Sequence, residues 1–296
     1  MKNNWMSTKY LALFFSLTLA WTWICGFIPV ICGLTGTGAG TFIFYFGGGA
    51  PSVVALFMVF LTYPKDKRTD YFRRCFSLKQ AGWKWPLITI AVFTALSAIS
   101  IFVGVYLLGY DMPTMDYIKA IAANPLNILL VLLLSLISGP LNEEFGWRGY
   151  ALDRLLLKFG FIKGSLILGF IWAIWHLPWY FTPGQAQYNL LRDNVFHAVM
   201  FIPSVMLLSV FVSFVYVKTK RSILAGAMVH MLSNLIGSQL LSSYTTGISM
   251  LIRYTNMLFF IGVTVYAIRS RAFKAETAAV IENIRQQGTK KNADSI

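Results

Sequence analysis

Eight apolar runs, each about 18 residues or longer, divide this 296-residue chain, and each is long enough to carry a helix across the ~30 Å hydrocarbon layer of a bilayer. They fall at 10–32, 42–63, 86–110, 126–158, 162–181, 195–217, 223–241 and 251–268. Lipid offers no water to backbone amides, so such runs must close their hydrogen bonds internally, as helices. With 57% hydrophobic and 12% charged residues and a mean hydropathy of +0.63, the chain exceeds what one soluble core can bury. The expectation is an all-α, polytopic membrane helical bundle of about eight transmembrane helices.

The net charge of +14 invites a nucleic-acid reading, but the basic residues lie between the apolar runs and form no single stripe with interleaved aromatics. Membrane topology accounts for them. With both termini in the cytoplasm, 22 of the 25 Lys and Arg fall on one side, leaving only Lys119, Arg192 and Arg253 outside. That is the positive-inside bias of a multi-pass protein, here read as one of a bacterial cytoplasmic membrane. The apolar stretch after Lys9 runs on through Trp21, Trp23 and Ile31, too long for a cleavable signal, and is read as the first span. Trp5, Trp83, Trp85 and Trp179 are read as interface anchors.

Residues 1–270 are read as one membrane domain and 271–296 as a polar, basic cytoplasmic tail. From Lys274 onward the tail is expected to be a short helix fraying into disorder. Cys25, Cys32 and Cys75 make no Cys-x-x-Cys pair and are read as packing residues. Glycines at 33–40 and 47–49 superficially suggest a phosphate loop. No strand precedes them and no Lys-Ser or Lys-Thr follows, so they are read as tight turns and close helix packing.

Against this background Glu143 and Glu144 stand out, side by side and four residues before Arg148. A charged side chain at the centre of a membrane helix costs roughly 2.5 to 3.5 kcal/mol even on lenient scales, so two acids need partners, water or a task. Residues four apart share a helix face, which lets Glu144 pair with Arg148 while Glu143 points about 100° away. Gly139-Pro140, one turn upstream, predicts a bend with room for water. His176 follows Trp172 by four residues and His230 precedes Asn234 by four, so each pair also shares a face. At about 1.5 Å per residue, His176 and Asn234 lie ~20 Å, and His230 ~14 Å, from the nearest basic boundary. Glu143 reaches ~22 Å only if its helix continues through Tyr150 to Lys158, and the reading adopts that long helix so that the polar groups converge.

Taken singly, these residues have plainer readings. The acids and Arg148 suit a juxtamembrane ion pair, and each histidine or Asn234 suits an interhelical hydrogen bond. His197 is read as solvated at the outer interface without a partner, and Met228 and Met231 as core. Jointly the set suits hydrolysis. A buried glutamate beside a second acid can take a proton from water with histidine as a second carrier, while His230 and Asn234 offer donors to an oxyanion. No serine or cysteine in the set has a matching base, which favours a water nucleophile. A catalytic zinc is a possible alternative, since two histidines and a carboxylate suffice for one, but no His-Glu-x-x-His is present.

The stretches Glu143-Glu144-Phe-Gly-Trp-Arg148-Gly, Trp172-x-x-x-His176 and His230-x-x-x-Asn234 together resemble the three ordered motifs of the CPBP membrane proteins, which include the type II CAAX prenyl endopeptidases and bacteriocin-processing or immunity (Abi-like) proteins. The resemblance covers about 128–241. It implies an intramembrane endopeptidase in which Glu143 and His176 activate water, His230 and Asn234 stabilise the oxyanion, and Glu144 with Arg148 supports the first glutamate. Its partner would be a membrane-associated or lipidated peptide in the bilayer. The family pattern usually carries phenylalanine where this chain has Trp172. A proton-coupled transporter and a non-catalytic immunity or scaffold protein are the competing functions; the chain lacks the repeated halves common in transporters.

Overall fold

The computed structural model describes residues 6–113, 116–137, 139–240 and 246–289. Helix α1 (Thr8–Ile31) begins where the Ser7 hydroxyl accepts from the Lys9 amide. Helix α2 (Gly38–Gly48), capped by Thr37, meets α3 (Ala50–Thr62) at a 48° bend. The charged helix α4 (Lys65–Phe76) and the single turn α5 (Leu78–Ala81) lead to α6 (Lys84–Phe102), which widens into a π-turn at Val103–Leu107. Next come α7 (Asp116–Ala122), α8 (Pro125–Ile137), α9 (Pro140–Gly146), a π-turn at Trp147–Ala151 and α10 (Leu152–Trp175). The chain closes with a 3₁₀ turn at Leu177–Tyr180, α11 (Ala186–Asp193), α12 (Val195–Lys218), α13 (Ile223–Asn234), a π-turn at Leu235–Gln239, α14 (Thr246–Arg269) and α15 (Arg271–Thr289). No strand occurs among the described residues, as expected of an all-α membrane protein.

All eight apolar runs are helical, but they do not make eight straight spans. Among the described residues five helices are long and apolar enough to cross a bilayer, six if bent α2 and α3 count as one. The run at 126–158 and the part of the run at 162–181 up to Trp175 fall within one 50-residue helical stretch, Leu126–Trp175, and the run at 223–241 gives only a short apolar helix, Ile223–Gly237. The long stretch turns at Gly160, whose φ of 71° is open to glycine but strained for other residues. The expected continuation past Arg148 to Lys158 is present, carried by the π-turn and the first part of α10.

Small residues let the site-bearing helices approach closely. A Cβ on Gly169 of α10 would lie 2.6 Å from the Cα of Met206 on α12, and one on Gly146 would lie 2.4 Å from the Pro51 carbonyl oxygen on α3. The glycine-rich stretch before α3 packs as expected, with the Thr22 hydroxyl donating to the Gly47 carbonyl at 2.8 Å. The tail carries a helix as expected, but a longer and better-packed one: the 19-residue α15, whose Phe273, Val280 and Ile284 are buried. Spacings of seven and four residues place these three on one face, so tertiary packing holds a helix that composition alone does not. Residues 290–296 lie outside the described residues.

At the basic end of the bundle, Asp153 sits between Arg74 and Arg221 and accepts from the Tyr216 hydroxyl at 2.7 Å. Cys75 is fully buried there, and burial pushes its thiol up to about 12. His197, expected to lack a partner, instead places Nδ1 2.7 Å from the Tyr254 hydroxyl, because α12 and α14 pack side by side.

Candidate active site

Glu143 closes the first turn of α9 and Glu144 follows it, just before the π-turn that carries Arg148. All three are buried, Glu144 and Arg148 completely. The Arg148 Nη1 donates to Glu144 Oε1 at 2.8 Å, while Nη2 donates to the Ser209 carbonyl at 3.3 Å and hydroxyl at 3.2 Å. The guanidinium lies 4.9 Å from the centre of the Trp172 ring. A charge this deep is costly unless paired, and Arg148 has carboxylate, hydroxyl, carbonyl and π-face around its two terminal nitrogens, with Nε left without a hydrogen bond.

Glu144 has a second partner. His230 Nδ1 lies 2.9 Å from the same Oε1, and His230 Nε2 lies 3.0 Å from the Asn234 amide nitrogen. The carboxylate can only accept, so Nδ1 carries the proton and Nε2 accepts from Asn234. Gly226 leaves space beside Glu144: a Cβ there would lie 3.7 Å from Oε2.

Glu143 belongs to a separate network. Its Oε2 accepts from the Trp172 indole N–H at 2.6 Å. The carbonyl of the same tryptophan lies 2.8 Å from His176 Nδ1, which places the proton on Nδ1 and leaves the lone pair on Nε2. Trp172 thus joins the glutamate and the histidine, one through its side chain and the other through its backbone. Its ring also meets the His230 ring edge-on, with centroids 4.8 Å apart. Gly139 leaves room at the other carboxylate oxygen, since a Cβ there would stand 3.3 Å from Glu143 Oε1. His176 and Asn234 are the partly exposed members of the set.

Glu143, Glu144, Arg148, His176, His230 and Asn234 are therefore brought together from three helical segments, as their spacing suggested. Sequence reasoning missed two partners. Ser209 carries no motif, and only the close crossing of α10 and α12 brings it to Arg148. Trp172 stands where the family pattern usually carries phenylalanine, and phenylalanine has no N–H to offer Glu143. The zinc alternative finds no ready ligand set: among the described residues no three His, Cys, Asp or Glu side chains gather to hold a metal. His230 has both ring nitrogens engaged, and the Oε1 of Glu144 is shared between Arg148 and His230.

Residues 125–236, which carry all six of these side chains, match the family model for type II CAAX prenyl endopeptidase, Rce1-like. A curated relative, CAAX prenyl protease 2 of Methanococcus maripaludis, is 24% identical over 225 residues, spanning 75% of this chain and 82% of the relative. The family first read from three short motifs is the one whose model residues 125–236 match, and this similarity, together with that to the curated protease, indicates a membrane endopeptidase.

Proposed function

We propose that the protein hydrolyses a peptide bond near the end of a membrane-associated or lipidated peptide, using water activated by Glu143 and His176. The observation that carries this reading is the division of labour between two adjacent acids. Glu144 is committed to Arg148 and His230, whereas Glu143 is held by an indole N–H at one oxygen and has glycine-made space at the other. An acid oriented in this way can take a proton from water and return it to the leaving amine. The lone pair on His176 Nε2 supplies a second acceptor for the attacking water.

His230 and Asn234 are assigned to the oxyanion. While His230 is neutral, its Nε2 holds the Asn234 amide. Uptake of a proton from solvent at Nε2 would displace that amide N–H and leave both groups donating, with Glu144 compensating the imidazolium. Charge developing on the scissile carbonyl oxygen would then meet two donors. No step is routed through a metal. The relative's name makes prenylated CAAX peptides the first substrates to try, and the charge bias of the loops supports a cytoplasmic orientation of the basic end.

The test compares native membranes containing wild type with membranes containing Glu143→Gln, scoring peptide termini by mass spectrometry and cleavage of a synthetic prenylated peptide directly. Termini that disappear with Glu143→Gln, together with lost peptide cleavage, are expected. Unchanged termini and unchanged cleavage would refute the assignment.

A further inference from the structure

A cavity of about 1610 Å³ lies at the basic end of the bundle, where the α12–α13 turn faces α4, α5 and α15. It contains none of the proposed catalytic side chains. Seven Lys or Arg line it against two Asp or Glu. Four of the cations are answered: Arg74 and Arg221 share Asp153, Arg73 pairs with Asp70, and Lys218 pairs with Glu276. Lys79, Lys84 and Lys220 are exposed, and none of them has a carboxylate partner among the described residues. Three uncompensated ammonium groups on one cavity wall make a local excess of positive charge.

The backbone at this wall is unusual. Lys220 and Arg221 are the non-glycine residues with positive φ among the described residues, at 51° and 73°. Such conformations persist where surrounding contacts over-determine them and concentrate at functional sites. Here Asp153 holds the Arg221 guanidinium, and the Gln80 side-chain amide donates to the Lys220 carbonyl at 2.8 Å. The strained turn is thus pinned from both sides with Lys220 on the cavity wall.

The opposite flank is apolar and continues into the membrane-spanning part. Phe214 and Tyr266 line the cavity and also line a groove of about 290 Å³ shared with Phe259, Gly262 and Val263 of α14. A soluble anion would have no use for that groove, and an uncharged lipid would have no use for the lysines. We propose that this composite site binds an anionic phospholipid, its phosphate among Lys79, Lys84 and Lys220 and one acyl chain along Phe214, Tyr266 and Val263. Basic pockets between membrane helices are suited to anionic headgroups, because the lysines add attraction that bulk lipid charge alone does not localise.

The experiment uses the purified full-length protein in neutral detergent, with native mass spectrometry and thermal denaturation as readouts. Dioleoyl phosphatidylglycerol is expected to stay bound and to raise the melting temperature by several degrees, more at low salt than at high salt, whereas dioleoyl phosphatidylcholine does neither. Combining Lys79→Gln, Lys84→Gln and Lys220→Gln is expected to weaken phosphatidylglycerol binding on the order of 100-fold, as the loss of three cations near a headgroup implies. All three are surface residues, and the folding of the variant is checked by its own melting curve. Glycerol phosphate alone is expected to leave the melting temperature unmoved. Equal effects of the two lipids, salt-insensitive retention by the wild type, undiminished binding by the triple variant, or the same shift from glycerol phosphate would each overturn the proposal.

Discussion

At the scale of single residues, Trp172 does more than its place in a motif suggests. Its indole N–H fixes Glu143, its carbonyl fixes His176, and its ring packs against both Arg148 and His230. A hydrogen bond to a charged group is worth roughly 1.5 to 3 kcal/mol, which corresponds to about a 10- to 100-fold effect. Trp172→Phe keeps an aromatic ring and deletes the N–H, so kcat on a cleavable peptide should fall by about that factor with KM changed little. A rise in KM at constant kcat would assign the tryptophan to the substrate groove instead. Arg148 makes a different demand. Removing one member of a buried ion pair typically costs ~3 to 5 kcal/mol, so Arg148→Ala should lower the melting temperature sharply and deplete folded protein in the membrane. Wild-type levels and stability of that variant would show that Glu144 tolerates burial without its cation.

At the scale of elements, the crossing of α10 and α12 at Gly169 governs the site. Trp172 lies one turn beyond Gly169 on α10, and Ser209 lies at the contact on α12. A leucine at 169 cannot fit 2.6 Å from the Met206 Cα, so Gly169→Leu should push the helices apart and abolish cleavage, a loss read by peptide turnover together with gel-filtration of the solubilised protein. Retained activity would mean that the crossing can open without moving Trp172. These elements were unevenly legible in the sequence. Four-residue spacing put Glu144 with Arg148 and His230 with Asn234, because helix periodicity is local. Ser209 could not be found that way, since its relation to Arg148 spans 61 positions and depends on how two helices cross. The eight apolar runs were legible as helices, and so was the break at Gly139-Pro140, where Gly139 is non-helical; the break at Gly160 and the shortness of α13 were not, because they follow from packing. The amphipathic face of α15 was present in the spacing of Phe273, Val280 and Ile284, hidden by the polar composition around it.

At the scale of the whole molecule, the arrangement has sides. If the basic loops face the cytoplasm, Cys32 at the end of α1 is exposed on the opposite side, while Cys75 is buried at the basic end. A membrane-impermeant maleimide added to intact cells should label Cys32. Cys75, its thiol pushed up to about 12, should stay unlabelled near neutral pH until the protein is denatured. Labelling of Cys32 only in inverted membranes would reverse the orientation. Within that frame the buried polar groups form two linked networks, one around Glu144 that holds the helices together and one around Glu143 that is proposed to act on water. The most direct test of that division measures turnover and thermal stability side by side for Glu143→Gln and Glu144→Gln. The expected result is that Glu143→Gln melts like wild type with at least ~100-fold less turnover, while Glu144→Gln melts well below it. Full activity in the Glu143 variant, or its destabilisation with Glu144→Gln left unaffected, would contradict the account.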